Sequence, residues 1–549
     1  MKLRHRIASL FILMIVPFVS IADTYPVNPG IDIVHYRFEI DLGDKSGRIV
    51  ATAGVQAKFL TSGIRQLRLD LVNQTRERAG RGMTVSVVTA EGNPLKFRHE
   101  RDVLLIDLPE LSTANDVLEV FIGYSGIPVT GLLIKENKYG ELTAFSDNWP
   151  DKARNWLPTV DHISDKATSE MLITAPEQWQ VVSNGLLVEQ SGLGNGMRRT
   201  HWRQSVPIAP WLYVLAAADF AVQYVDEFDH KSIQTWVYRQ DRDAGFYDFA
   251  VPTRQVLEFM SSYVGPFVYE KLANIQGNSV GGGMEAASAI LYSDAAVTGE
   301  RTARWRYVIV HEIAHQWFGN SVTEASWDDV WLSEGFATYF SYLFFEYADG
   351  YDLFIESMAD VRDKVFEFHD EQPDYRIVHD NLDDMTKVTT RQIYNKGAWT
   401  LHMLRNLMGD ENWWNGIQNY YRKYMNSHAS TADFRFEMES ACRCDLTEFF
   451  DQWLYQGGNI VLDGTWQYNE QSGSVDISLA QAQGGDSKYS TVVEIGVYAS
   501  GEAIPSVHQL MLEAGGGRLS IPVAEKPDTV VIDPRTVLLA RWTFNEVLP

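Results

Sequence analysis

Apolar and polar side chains alternate along the first part of the chain, between residues 31 and 124. The run 36–42 alternates strictly, and the same spacing recurs at 67–71 and 118–124. A period of two puts every second side chain on one face of a strand. The pattern therefore predicts half-buried strands of antiparallel sheets, and it continues more loosely to about residue 220.

The middle of the chain changes to the spacing of amphipathic helices. This spacing predicts six helices, within residues 251–263, 300–318, 331–348, 410–425, 432–442 and 447–455. Their predicted N-cap residues include Asp410, Thr431 and Thr447, because short polar side chains at these places can accept the first free backbone N–H groups.

Alternation returns after residue 459, at 475–479, 493–497 and 519–523, with glycine-containing turns between the runs. About ninety residues of short strands are typical of a small β-sandwich. The three patterns together predict a multidomain α+β protein.

The predicted domains are an N-terminal antiparallel β domain at 23–220, a mainly helical domain at 221–455 and a C-terminal β-sandwich at 456–549. A chain of 549 residues exceeds the size of one hydrophobic core, which agrees with several domains. The formal net charge of −25 argues against nucleic acid and anionic membranes as partners.

The first 22 residues have the composition of a signal peptide. Basic residues within the first six positions precede an apolar run at 7–21, and Ser20-Ile21-Ala22 offers small residues for cleavage. The run is shorter than the ~20 apolar residues of a spanning helix. We therefore expect an exported protein, periplasmic or extracellular, with no stable membrane association after cleavage.

The only two cysteines, Cys442 and Cys444, are one residue apart. Two cysteines exclude a disulfide-rich scaffold. The spacing leaves two interpretations open: a small-ring disulfide in a turn, or two free thiols between helices.

The motif HEIAH at residues 311–315 lies in a predicted helix. His311 and His315 are four residues apart, so both imidazoles share one helix face and can bind one Zn²⁺. Glu334 follows His315 after eighteen intervening residues and completes a His₂Glu set that leaves one position open, as catalytic zinc requires. Glu312, next to a ligand, is placed to act as the general base of metal-assisted hydrolysis.

Three motifs together resemble the aminopeptidase N family of zinc metallopeptidases. They are HEIAH with its later glutamate in WLSEGFA, the upstream segment GGGMEAAS at 281–288, and YNKGA around Tyr394. Weaker similarity extends over most of residues 145–460. The resemblance implies a thermolysin-like, mainly helical catalytic domain with one zinc ion.

The resemblance also implies roles for residues outside the metal set. Gly282, Gly283, Met284 and Glu285 match the family's exopeptidase motif, in which the glutamate pairs with the free α-ammonium of the substrate. Tyr394 matches a catalytic tyrosine whose hydroxyl can stabilise the developing oxyanion.

Two positions depart from the family's pattern. Ala286 stands where the family has an asparagine, which removes one expected hydrogen bond to substrate. Trp149, five residues before Arg154, stands where a second amine contact is expected, with Asp147 and Asn148 nearby.

The sequence therefore predicts a zinc-dependent aminopeptidase that releases N-terminal residues from peptides. A zinc endopeptidase of thermolysin-like type is one alternative, because the metal motif alone does not distinguish terminal from internal cleavage. A catalytically inactive peptidase fold that serves as a binding protein is the other alternative.

Overall fold

A computed structural model of the protein describes residues 23–43, 46–378, 385–484 and 487–547. The predicted signal peptide, residues 1–22, lies outside these described residues. The described chain consists of a β-rich N-terminal region, a helical middle region and a C-terminal β-sandwich. The predicted fold class is confirmed, whereas the domain boundaries stay predictions.

The N-terminal region contains fifteen strands among the described residues. They are β1 Ile31–Asp41, β2 Ile49–Phe59, β3 Gln66–Asp70, β4 Gly82–Ala90, β5 Asn93–Pro94, β6 Phe97–Glu100, β7 Val103–Asp107, β8 Val117–Ile127, β9 Leu132–Glu136, β10 Leu142–Ser146, β11 Ala167–Pro176, β12 Gln180–Ser183, β13 Leu186–Gly192, β14 Met197–Ile208 and β15 Leu215–Ala218.

Eight of these strands form one large sheet in the order β13-β14-β11-β1-β2-β8-β4-β5. Its pairs are antiparallel except β1 with β11, which run parallel. The smaller sheets β12-β15-β10-β9 and β3-β7-β6 complete the region. Tyr36, Phe38 and Ile40 on β1 are buried, so the alternation in the sequence marks the core face of the large sheet.

The middle region begins with a five-stranded sheet in the order β16-β17-β18-β20-β19. The strands from here to the sandwich are β16 Phe220–Phe228, β17 Lys231–Tyr238, β18 Lys271–Gly277, β19 Gly283–Met284, β20 Ala289–Ser293, β21 Val322–Glu324 and β22 Ser427–Ala429. The helices are α1 Arg242–Tyr263, α2 Ala303–Ala314, α3 Trp331–Asp349, α4 Tyr351–Glu371, α5 Arg391–Met408, α6 Asp410–Tyr424, α7 Thr431–Cys442 and α8 Thr447–Phe450.

Several helix ends differ from the prediction. Helix α2 stops at Ala314, and α8 continues as a π-helical turn over Asp451–Tyr455. The predicted cap Thr431 is wrong by one residue. The side chain of Ser430 accepts a hydrogen bond from the Asp433 N–H, and the Asp433 carboxylate accepts one from the Ser430 backbone N–H. Asp410 and Thr447 are likewise first helical residues rather than caps.

The C-terminal sandwich packs the sheet β27-β24-β23-β29 against the sheet β26-β25-β28. Its strands are β23 Ile460–Asn469, β24 Ser474–Gln481, β25 Thr491–Tyr498, β26 Ser506–Leu512, β27 Gly517–Pro522, β28 Thr529–Ile532 and β29 Ala540–Glu546. His402 of α5 reaches the carbonyl oxygen of Thr536 at 2.9 Å and so joins the sandwich to the helices.

Cys442 and Cys444 form a disulfide at the end of α7, which decides between the two interpretations left by their spacing. Among the described residues, no helix is long and apolar enough to cross a membrane.

Candidate active site

Three donor atoms from two helices converge at the centre of the middle region. His311 Nε2 lies 3.1 Å from His315 Nε2, and Glu334 Oε2 lies 3.3 and 3.2 Å from these two nitrogens. Ligands bound to Zn²⁺ at about 2.0–2.1 Å in a tetrahedron are separated by roughly 3.3 Å. The spacing, the buried position and the donor types therefore fit one zinc ion.

Neighbouring groups orient the His315 ring. Its Nδ1 donates to the Phe318 carbonyl oxygen at 3.0 Å, which leaves Nε2 to face the other two donor atoms. The Ser333 hydroxyl lies 3.2 Å from the same Nδ1. Gly319, in the left-handed region at φ +106°, gives Ser333 its space, because a Cβ there would lie 2.3 Å from the Ser333 oxygen.

Glu312 lies on α2 between the two histidines and points toward β19. Its carboxyl group is buried against the backbone of Gly283: a Cβ at residue 283 would lie 2.3 Å from Glu312 Cδ and Oε1. A glycine at this point lets the strand pass directly over the carboxyl group without displacing it.

The segment that contains Glu285 is held by hydrogen bonds to the residues that directly follow α2. Gln316 Nε2 donates to the Glu285 carbonyl oxygen at 2.9 Å, and Asn320 Nδ2 donates to the same oxygen at 2.6 Å. The Ser288 N–H donates to Gln316 Oε1 at 2.9 Å. These contacts place Glu285 Oε1 3.9 Å from His315 Nε2.

The other residues of the predicted exopeptidase motif belong to the same segment. Gly283 and Met284 form β19, and the Gly282 carbonyl oxygen accepts a hydrogen bond of 2.8 Å from the Ser293 N–H. The Met284 side chain is buried. The sequence motif identified this segment but not Gln316 and Asn320, whose role depends on a tertiary contact.

Tyr394 reaches the site from α5. Helices α3 and α5 approach closely at Gly335 and Gly397, where a Cβ on Gly397 would lie 2.9 Å from Gly335 Cα. This approach lets the Tyr394 hydroxyl donate to Glu334 Oε1 at 2.8 Å. The structure thus brings together every predicted catalytic, substrate-binding and metal-binding residue.

The site concentrates buried negative charge. Burial, together with the repulsion of Glu334, raises the pKa of Glu285 to about 7 despite the attraction of His315. Burial and the neighbouring Glu285 carboxylate hold the pKa of Glu312 well above its ordinary range. Burial and Glu334 also raise the pKa of Tyr394, so this hydroxyl keeps its proton and serves as a donor. Three buried carboxylates around two histidines suit a site that receives cations.

The two departures from the family's pattern have structural counterparts. Trp149 packs between Trp211 and Trp327, with ring centroids 4.8 and 5.1 Å away, so an aromatic contact replaces the expected amine contact. Asp147 pairs with Lys152 at 2.8 Å, and its charge adds to the forces that raise the pKa of Glu285.

The fold and the buried His₂Glu triad define a candidate metal site between two helices, and comparison with known proteins gives the family. The family model of the peptidase family M1 domain matches residues 248–453, and that of the peptidase M1 N-terminal domain matches residues 34–212. The chain belongs to peptidase family M1.

Curated relatives include glutamyl aminopeptidase from Bos taurus, 30% identical over 333 residues, and its counterpart from Homo sapiens, 28% identical over 345 residues. These matches cover 58% and 60% of this chain and 35% of each relative, so the chain spans about a third of their length. Probable aminopeptidase 1 from Sulfurisphaera tokodaii is 24% identical over 425 residues. This match covers 74% of this chain and 52% of the length of that relative.

Solved structures confirm the fold. A two-domain M1 zinc metallopeptidase variant bound to L-tryptophan aligns with a TM-score of 0.67 and 21% identity. A variant of the M1 zinc metallopeptidase from Deinococcus radiodurans, bound to a Tyr-Ser-Ala substrate, aligns with a TM-score of 0.66 and 20% identity. Each of the two alignments covers 78% of this chain and 94% of the chain in the solved structure.

Proposed function

We propose that the protein is a zinc-dependent aminopeptidase that hydrolyses the N-terminal peptide bond of peptides. One observation carries this proposal: the Glu285 carboxylate lies 3.9 Å from His315 Nε2, at the edge of the metal triad. A buried carboxylate there needs a cationic partner, and the α-ammonium of a peptide is one.

The position of Glu285 also determines which peptide bond of the substrate reaches the metal triad. The carbonyl carbon of the first residue is two covalent bonds, about 2.5 Å, from the α-nitrogen. A substrate whose ammonium pairs with Glu285 therefore presents its first peptide bond to the metal triad. The next peptide bond lies more than 3 Å farther along an extended chain, which explains terminal cleavage.

The chemistry is hydrolysis assisted by a metal ion. His311, His315 and Glu334 would hold a zinc ion, which would supply Lewis acidity and lower the pKa of a water molecule. Glu312 takes the proton of the attacking water and returns it to the leaving amine. Tyr394, whose hydroxyl keeps its proton, donates a hydrogen bond to the oxyanion.

The backbone of residues 282–284 contributes to substrate binding because a peptide chain can come close to it. Because Gly282 and Gly283 carry no side chains, an extended substrate can lie against this segment and add as a strand beside β19. Met284 supports the segment from its buried side.

A zinc endopeptidase remains the second candidate, since it would use the same metal triad and general base. The carboxylate of Glu285 argues against it, because an internal peptide segment brings no charge to pair with that group. A binding protein without activity is disfavoured because the metal ligands, the general base and the oxyanion donor are all in place.

Product analysis tests the proposal. The protein is loaded with zinc and given unblocked peptides of three to ten residues, and the products are identified by mass spectrometry. We expect sequential release of single N-terminal residues, which stops after chelation and returns with added zinc. Internal fragments as first products would favour the endopeptidase, and no cleavage by a zinc-loaded protein would favour the binding protein.

We further propose that the protein is exported and works in the periplasm or the medium, without association with membranes or nucleic acid. The leader-like composition of residues 1–22 and the excess of acidic side chains support this. Cell fractionation followed by determination of the N-terminal residue tests it. Recovery of the full-length chain from the cytoplasm would contradict it.

A further inference from the structure

The connection between β12 and β13, in the N-terminal region, contacts the segment that carries Glu285. This connection consists of Asn184 and Gly185. The Asn184 side chain is buried, and its Nδ2 donates to the Ala287 carbonyl oxygen at 2.7 Å. Ala287 lies two residues after Glu285, so the contact joins the N-terminal region to the substrate-binding segment of the middle region.

The Asn184 amide is itself fixed by the N-terminal region. The same Nδ2 donates to the Leu212 carbonyl oxygen at 2.9 Å, and Oδ1 accepts from the Val214 N–H at 2.9 Å. Both N–H donors of the amide are therefore occupied, and its oxygen has a partner as well. One orientation of the side chain satisfies all three contacts, so Ala287 is held at a defined place.

Ser288, the next residue of the segment, is held from the same side. Its Oγ accepts a hydrogen bond from the Gly185 N–H at 2.8 Å and one from Lys271 Nζ at 3.3 Å. Lys271 is buried and also donates to the Ser183 carbonyl oxygen at 2.8 Å. The backbone of Ser288 has φ +64°, a conformation that a residue with a side chain keeps only where its surroundings hold it.

We propose that Asn184 is a positioning residue for Glu285, and that the N-terminal region thereby takes part in recognising the α-ammonium of the substrate. The Glu285 carbonyl oxygen is held from the helical side by Gln316 and Asn320, and the Ala287 carbonyl oxygen is held from the opposite side by Asn184. The Glu285 backbone between these contacts is fixed from two sides. The inference rests on the proposed aminopeptidase function and adds a residue to it.

The position of the Glu285 carboxylate matters because an ion pair weakens steeply with distance. At an effective dielectric constant of about 20, two unit charges about 4 Å apart attract each other roughly tenfold less, as an equilibrium constant, than charges about 3 Å apart. A displacement of about 1 Å in the segment therefore weakens ammonium binding strongly. The same displacement leaves the three metal ligands in place, because they belong to α2, the residue after it, and α3.

The test measures ammonium recognition without turnover. Leucine hydroxamate carries a metal-binding hydroxamate and a free α-ammonium, whereas N-acetyl-leucine hydroxamate carries the same metal-binding group and no positive charge. The dissociation constants of both probes for the zinc-loaded protein are measured by calorimetry, together with the zinc content and the thermal midpoint. Their ratio reports the contribution of the ammonium alone.

We expect the unchanged protein to bind the free probe at least about a hundredfold more tightly than the acetylated probe. In Asn184→Ala this preference should fall about tenfold, while the acetylated probe binds within about twofold of its original affinity and the zinc content stays the same. Ser288→Ala removes the second contact of the segment without a change of backbone preference, and it should lower the preference by at least about threefold. It decides the matter if Asn184→Ala does not fold.

Tyr124→Phe is the structural control. The Tyr124 hydroxyl donates to the Trp156 carbonyl oxygen at 2.9 Å inside the N-terminal region. Its loss removes a buried hydrogen bond and should lower the thermal midpoint, yet the preference for the free probe should stay unchanged.

Two results are contradictory in different ways. A folded Asn184→Ala that keeps the preference within about twofold, or that loses affinity equally for both probes, would overturn the positioning role and leave the proposed function intact. Equal binding of both probes by the unchanged protein would contradict the ammonium site itself, and with it both the proposed function and this inference.

Discussion

Replacement of Gly283 by alanine tests the placement of the general base. The added Cβ would lie 2.3 Å from Glu312 Cδ and Oε1 and 2.4 Å from Cγ. Ordinary carbon contacts begin at about 3.5 Å, so the carboxyl group must move by roughly 1.2 Å. Gly283 lies outside the left-handed region, so the alanine backbone itself is unstrained.

A displacement of about 1 Å at a catalytic group costs roughly a hundredfold in rate, or about 2.7 kcal/mol of transition-state stabilisation. We therefore expect kcat/KM of Gly283→Ala on an unblocked peptide to fall about a hundredfold. The flexible end of Glu312 can yield, so the thermal midpoint should change little. Zinc content should be unchanged, because Glu312 is not a ligand in this account.

The assay measures kcat/KM, bound zinc and the thermal midpoint side by side. Gly281→Ala is the matched control, because nothing lies within 4 Å of a Cβ at residue 281 and that residue is exposed. Its activity should stay near that of the unchanged protein. The reasoning is refuted if Gly283→Ala retains activity within about threefold of the unchanged protein, or loses activity only together with its zinc.

Three further predictions concern single residues. Glu312→Gln should bind one zinc ion per chain yet lose about 10²–10⁴-fold in kcat, and loss of the metal by this variant would show that Glu312 is a ligand. Tyr394→Phe should lower kcat by about 10²–10³-fold with zinc retained; an unchanged kcat would exclude the hydroxyl as an oxyanion donor. His402 makes the free energy of unfolding depend on pH in acid. Burial lowers the pKa of His402 to about 4, although a hydrogen bond to the Thr536 carbonyl oxygen acts in the opposite direction. Because the folded pKa lies below the unfolded value of about 6.5, the stabilisation is present above that value and is lost as pH falls toward 4. Urea unfolding should show a loss of about 1.4 kcal/mol between pH 7.5 and 5.5 that is missing from His402→Gln; the same loss in both proteins would contradict it.

The metal site could be predicted because its determinants are local. His311 and His315 share a face of any helix, and Glu334 follows at a fixed distance in a second helix. The strands of the N-terminal region were also predictable, since one face of the sheet is buried and the other is not.

The helix that carries Tyr394 was not predicted, for a physical reason. Helix α5 is buried on almost all sides, including the polar residues Lys396, Thr400 and His402. Each of these finds a partner inside the protein, so polar residues interrupt the buried face that a purely apolar pattern would have marked in the sequence. Helix α4 is different: its buried residues have regular helical spacing, and the sequence contained enough information to predict it.

The contacts that complete the site were not predictable from one sequence. The hydrogen bonds from Gln316 and Asn320 to the Glu285 carbonyl oxygen join two segments that are about thirty residues apart. The close approach of Gly335 and Gly397 depends on how α3 and α5 cross. Such contacts follow from tertiary packing, which local spacing does not encode.

The most direct test of the proposed function is the ratio of kcat/KM for one peptide with a free and with an acetylated N-terminus. The zinc-loaded protein should prefer the free peptide by at least about a hundredfold, since acetylation leaves the buried Glu285 carboxylate without its partner. In Glu285→Ala the ratio should fall below about tenfold with zinc content unchanged. Equal cleavage of both peptides by the unchanged protein would contradict the account.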